Sequence, residues 1–141
     1  MFGVMPQIVI NYWAILVSAI VMQVIGFVWY GPLFGKAWMR LMGFADADKE
    51  KMKKKASTGY FVMFVTSLIM IYVLKHFVIY AGAHDVAGGM KVAFWLWFGF
   101  IAPVQLGAVL WDGKPTKLFA LNTLYHLISL LVVGAILVAW L

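Results

Sequence analysis

Apolar residues dominate four stretches of the chain, at about 9–30, 57–77, 90–111 and 118–140. Each is long enough for a bilayer-crossing helix, because the hydrocarbon core is about 30 Å thick and a helix rises about 1.5 Å per residue. None alternates apolar with polar positions as a membrane β-strand does. A segment in hydrocarbon must also satisfy its own backbone groups, which a helix does internally. The pattern predicts an all-α, polytopic membrane protein, a single domain over 1–141 with four transmembrane helices.

The loop 31–56 has order of its own. Leu33, Phe34, Ala37, Trp38, Leu41 and Met42 recur at helical spacing, with Lys36 and Arg40 on the opposite side. That is a short amphipathic helix for the headgroup layer, with Pro32 suited to its first turn. Asp46, Asp48 and Glu50 then precede a run of lysines. Acids favour a helix start, so the next helix is expected to run unbroken into the second span. Ala81–Gly89 reads as a flexible outer turn, and Trp111–Thr116 as a tight connection in which Gly113 takes the left-handed conformation and Pro115 blocks continuation. Pro103 is expected to bend the third span and free a carbonyl near Gly99.

Composition sharpens this. Of 141 residues, 65% are hydrophobic and 11% charged, against about 45–50% and about 25% in soluble domains. So small a globule cannot bury that much apolar surface. An ordinary soluble enzyme, a disordered chain and a disulfide-stapled module are excluded. With no cysteine, thiolate metal sites and thiol nucleophiles are excluded too. The net charge of +6 matters through its placement. Lys36, Arg40, Lys49, Lys51, Lys53, Lys54, Lys55, Lys114 and Lys117 lie on one side of the four spans, and Lys75 and Lys91 on the other. The positive-inside rule puts both basic loops in the cytoplasm and both termini outside. Met1–Ile10 has no basic residue, so no signal-peptide n-region is expected and the first apolar segment stays in the mature protein. Trp13, Trp95 and Trp140 fit an outer aromatic belt, and Trp29, Tyr30 and Trp111 an inner one. The lysine run reads either as a solvated topology determinant or as an anionic-phospholipid patch made by Lys36, Arg40, Lys53, Lys54 and Lys55. Nucleic acid is not an expected partner.

Asn11-Tyr12-Trp13, Trp29-Tyr30-Gly31-Pro32-Leu33-Phe34-Gly35-Lys36, Trp97-Phe98-Gly99-Phe100 and Lys117-Leu118-Phe119, with Asn122, Tyr125 and His126, resemble the small bacterial membrane proteins catalogued as domain of unknown function 1761. The likeness covers nearly the whole chain. It implies a four-helix membrane protein, and no reaction, ligand or partner; the expected location is the bacterial inner membrane.

Polar side chains within the spans are the functional candidates. Asn122, Tyr125, His126 and Ser129 stand at i, i+3, i+4 and i+7, one stripe of the fourth span. Counting about 1.5 Å per residue from the inner boundary, Gln23 lies roughly 10 Å deep, Gln105 roughly 9 Å, and Asn122 to His126 roughly 7–14 Å. These positions predict a polar layer in the cytoplasmic half. It reads as interhelical hydrogen bonding, as a cavity for a ligand, or as a catalytic site. No interior carboxylate completes a triad, and no serine sits in a Gly-x-Ser-x-Gly setting. A non-enzymatic protein is therefore expected, with no cofactor. No metal site is expected within one protomer, the weak exception being His76 with His84 and Asp85. Gln23-x5-Trp29-x-Gly31 and Gln105-x5-Trp111-x-Gly113 share spacing. If this marks a repeat about an axis along the membrane normal, the two glutamines face one another. Gly99, Ala102, Gly107, Ala108 and Gly134 would allow close helix approach. The expected function is a self-associating bundle that binds lipid or a small amphipathic ligand. Its rivals are a transporter or channel of several copies, and a subunit of a larger membrane complex.

Overall fold

The computed structural model describes residues 9–45 and 48–140. Asp46 and most of Met1–Ile10, on which two of the expectations bear, lie outside them. Among the described residues the chain is all-helical. Asn11 opens the first helix, α1 (Tyr12–Val28), its side-chain oxygen accepting the N–H groups of Trp13 and Ala14 at 3.1 and 3.3 Å. A π-helical turn, Trp29–Leu33, follows. Pro32 has no N–H to give the α ladder, and the register widens until the Phe34 N–H meets the Trp29 carbonyl at 2.9 Å. Pro32 thus belongs to the turn that closes the first span. The amphipathic helix, α2 (Gly35–Met42), starts beyond it.

Helix α3 (Asp48–Tyr80) is unbroken over 33 residues, as the charge order predicts. The outer turn is shorter than its glycines imply. Asp85 accepts the Gly88 N–H at 2.7 Å and caps α4 (Val86–Leu96), so Gly88 and Gly89 are helical. A second π-helical turn, Trp97–Ile101, leads into α5 (Ala102–Leu110). The Ala102 N–H bonds the Trp97 carbonyl, one residue further back than in an α-helix, just before Pro103 withholds a donor from Gly99. Gly113 is left-handed, at φ 69°, and α6 (Thr116–Ala139) completes the chain. Four helical stretches, Tyr12–Leu33, Asp48–Tyr80, Val86–Leu110 and Thr116–Ala139, are long and apolar enough to cross a membrane.

Helix α6 is the centre, packing against each of the other five helices. Leu130, Val133, Leu137 and Val138 meet Ala14, Ile15, Ala19 and Met22 of α1, Ile71, Leu74 and Val78 of α3, and Ala93 of α4 in one buried cluster. The closest approach is between α4 and α6. A Cβ added to Gly134 would stand 2.6 Å from the Gly89 carbonyl oxygen, and one on Gly89 would strike Gly134 in turn. Of the small residues expected to allow close approach, Gly134 does so, whereas a Cβ on Gly99 would meet nothing within 4 Å, and one on Gly107 only the Trp111 ring.

Lys75, counted above among the outer charges, is not turned to solvent: the side chain is 2% exposed, and Nζ donates to the Leu137 carbonyl at 3.1 Å. Leu137 lies in the last turn of α6, where carbonyls lack helical partners and the macrodipole favours a cation. The ammonium therefore caps one helix from inside another.

Gly134→Leu is expected to cost about 1–3 kcal/mol or more by overpacking, lowering the unfolding temperature in mild detergent. Gly99→Ala should leave it within a degree or two. Equal effects would show that the Gly89–Gly134 contact does not set the packing.

Candidate functional site

The two π-helical turns carry the same opening, Trp29-Tyr30-Gly31 and Trp97-Phe98-Gly99, and each delivers its tryptophan to α6. The Trp29 indole N–H donates to the Leu121 carbonyl at 3.1 Å, and the Trp97 indole N–H to the Thr123 carbonyl at 2.8 Å. Two residues along a helix turn it by about 200°, so the indoles hold α6 from nearly opposite sides. Trp29 is therefore turned into the bundle, unlike Trp13, Trp95 and Trp111, which are exposed.

Tyr30 follows Trp29 inward, its hydroxyl donating to Asn122 Oδ1 at 2.7 Å. The Asn122 backbone oxygen lies 2.9 Å from His126 Nδ1, and the Gln105 amide nitrogen 3.1 Å from that same atom. A carbonyl only accepts, so Nδ1 carries the proton in the neutral ring. One nitrogen cannot both donate to Asn122 and accept from Gln105. Turning the amide end for end resolves this and gives the Gln105 oxygen, otherwise buried without a partner, a donor in Nδ1–H. The network then joins the exit of the first span, α5 and α6, and Nε2 of His126 keeps a free lone pair.

Of the residues singled out by sequence, Gln105, Asn122 and His126 are joined directly. Tyr125 stands beside them by ring contact, its centroid 4.9 Å from His126 and 5.2 Å from Tyr30. Its hydroxyl reaches the Met22 carbonyl over 3.4 Å. Ser129 is wholly buried beside the Tyr125 side chain, and Ser18 is wholly buried with no hydrogen-bond partner for its hydroxyl among the described residues. Gln23 does not face Gln105. It donates to the Tyr60 carbonyl of α3 at 2.9 Å, because α1 packs on α3 along that side. The proposed alignment of Trp29 with Trp111 thus has no structural counterpart, whereas Trp29 and Trp97 act alike.

In front of this network lies a cleft of about 510 Å³, within the range of small-molecule sites. Tyr30, Trp38 of α2, Tyr125 and His126 form one wall. The other is α3, through Met52, Ala56, Gly59, Tyr60 and Met63, positions that share one helical face. Ring contacts continue outward from Tyr30 to Trp38 at 6.1 Å and from Trp38 to Phe44 at 5.5 Å. Lys53 and Lys55 lie about 80° to either side of the α3 cleft face, and Lys54 on its back. All three are exposed, as are Lys36 and Arg40. Trp38 and Tyr60 were missed as site residues. Positions 52, 56, 59, 60 and 63 share one helical side, but Lys53, Lys54 and Lys55 fall between the first two and obscure it.

The candidate metal trio does not converge: His76 Nδ1 contacts the Tyr72 carbonyl at 2.8 Å, His84 Nδ1 the Gly82 carbonyl at 3.3 Å, and Asp85 caps α4. Among the described residues no group of three His, Asp or Glu side chains is placed to hold a metal.

A family model described as "Protein of unknown function (DUF1761)" matches residues 13–138, and the chain belongs to that family. No curated protein and no solved structure matches it.

The Tyr30–Asn122 bond can be isolated by a double-mutant cycle. Tyr30→Phe with Asn122→Leu should show a coupling of about 0.6 kcal/mol and no more than about 1.7, the average and the maximum for hydrogen bonds between membrane helices. Additive losses would mean that the contact contributes nothing.

Proposed function

We propose that this DUF1761 member is a non-catalytic protein of the bacterial cytoplasmic membrane that holds a lipid or other amphipathic molecule in the cleft between α2, α3 and α6. The supporting observation is the cleft itself, with aromatic walls, the Tyr30–Asn122–His126–Gln105 network behind it and the lysines of α3 at its rim. A pocket needs a few placed polar groups among apolar ones to orient an amphiphile, and this one has both. A non-catalytic role fits the hydrogen bonds of His126, whose Nδ1 is engaged by a backbone carbonyl and an amide rather than by a carboxylate that would tune a base.

In this reading both basic loops lie in the cytoplasm and both termini outside. The chain has no cysteine, so single cysteines report topology without further engineering. Lys54→Cys should react with an impermeant maleimide only after inverted or opened vesicles expose the cytoplasmic face, and Gly82→Cys in intact cells. The reverse pattern would overturn the orientation. The third candidate span is the least buried of the four, with Trp95, Phe98, Phe100, Val104 and Trp111 exposed. This supports self-association, or packing in a larger membrane complex, through that face.

Native mass spectrometry in mild detergent tests the binding reading. A bound species of lipid mass should survive on the wild type and be reduced severalfold by Gly59→Trp, which fills the cleft from an exposed glycine with open space around it. Protein free of any adduct in both cases would refute the proposal.

A further inference from the structure

The cleft distinguishes among amphiphiles, and we infer that its ligand is an anionic glycerolipid whose headgroup carries a free hydroxyl, the chemistry of phosphatidylglycerol. This rests on the reading of the cleft as a lipid site and names the lipid.

Three observations narrow the choice. The first is charge. The cleft face of α3 is flanked on both sides by lysines, Lys53 and Lys55, at the level between Met52 and Ala56. Among the described residues no carboxylate lines the cleft. A negative headgroup is drawn to that rim, whereas a zwitterionic one gains little. The second is hydrogen-bond polarity. His126 lines the cleft, and its Nδ1 is spent on Asn122 and Gln105. With the proton on Nδ1, its Nε2 is an acceptor that meets no donor among the described residues. A bare phosphate only accepts and cannot serve it; a hydroxyl can. The third is the walls. Trp38, Tyr30 and Tyr60 present ring faces and edges, which suit a glycerol backbone and the first methylenes of an acyl chain and carry no charge of their own. Phosphate at the lysine rim and hydroxyl toward His126 satisfies all three.

Phosphatidylmethanol is the decisive probe, because it has the phosphodiester charge of phosphatidylglycerol and no hydroxyl. Delipidated protein in mild detergent is offered equimolar phosphatidylglycerol, phosphatidylmethanol and phosphatidylcholine of one chain length, and retained lipid is read by native mass spectrometry. Phosphatidylglycerol should be retained about fivefold over phosphatidylmethanol, the ratio one ordinary hydrogen bond supplies, and both should exceed phosphatidylcholine. His126→Leu should bring the first ratio to about one. His126→Gln, which restores an acceptor, should recover part of it. Lys53→Gln with Lys55→Gln should remove the preference over phosphatidylcholine, and Lys54→Gln, on the back of α3, should not.

Equal retention of phosphatidylglycerol and phosphatidylmethanol, both above phosphatidylcholine, would overturn the hydroxyl assignment and leave the lipid site standing. Retention of none of the three would remove both. A phosphatidylglycerol preference that survives His126→Leu would overturn the role given to His126. Should that variant fail to fold, the wild-type ratio still decides.

Discussion

Contact between the backbones of α4 and α6 sets the positions of the polar side chains. Without a Cβ on Gly89 or Gly134, the helices approach more closely than side chains would permit. Ala93, Leu130, Val133 and Val138 close around that point. The same approach brings the third stretch along α6 far enough for Trp97 to reach Thr123 and Gln105 to reach His126. Among apolar side chains there is no water to excuse a misplaced donor. A shift of α4 away from α6 would therefore leave an indole N–H and an amide without partners, besides opening a void.

Polar side chains in this bundle are consequently paired with backbone more often than with one another. Both indoles, the Gln23 amide, the Lys75 ammonium and His126 Nδ1 all meet main-chain carbonyls. Helix carbonyls already accept one bond and have a second lone pair to offer, so they are the acceptors an apolar chain has in abundance. Such bonds tie a side chain to a level of the neighbouring helix rather than to a residue type there, which makes them invisible to any reading that looks for complementary side chains.

That explains which parts of the fold were legible. The four apolar stretches, the amphipathic α2 and the unbroken α3 follow from transfer free energy and helical periodicity, and the sequence carries both. Direction around each helix is not carried. Trp29 and Trp111 look alike as aromatic residues at a boundary, yet one points into the bundle and the other away. Lys75 near a span end reads as a side chain that reaches for water, and only the position of α6 shows that its nearest polar partner is a helix terminus. Gly88-Gly89 reads as a turn because glycine weakens helices in water. Against a facing glycine the same residue is what permits contact. Of the site, the stripe Asn122–His126 and its link to Gln105 were legible from matched depths. Trp38, Tyr60 and the α3 wall were not, because they belong to segments whose lysines drew the reading toward solvent.

The indoles of Trp29 and Trp97 also limit how α6 can move. Gripped from nearly opposite sides at Leu121 and Thr123, the helix cannot spin about its axis by even one residue, about 100°, without losing both bonds. Lys75 fixes the far tip in the same way, and Tyr125 and His126, which line the cleft, stand just beyond the two gripped carbonyls, so the bonds that fix the rotation of α6 also fix which side chains that wall of the cleft presents.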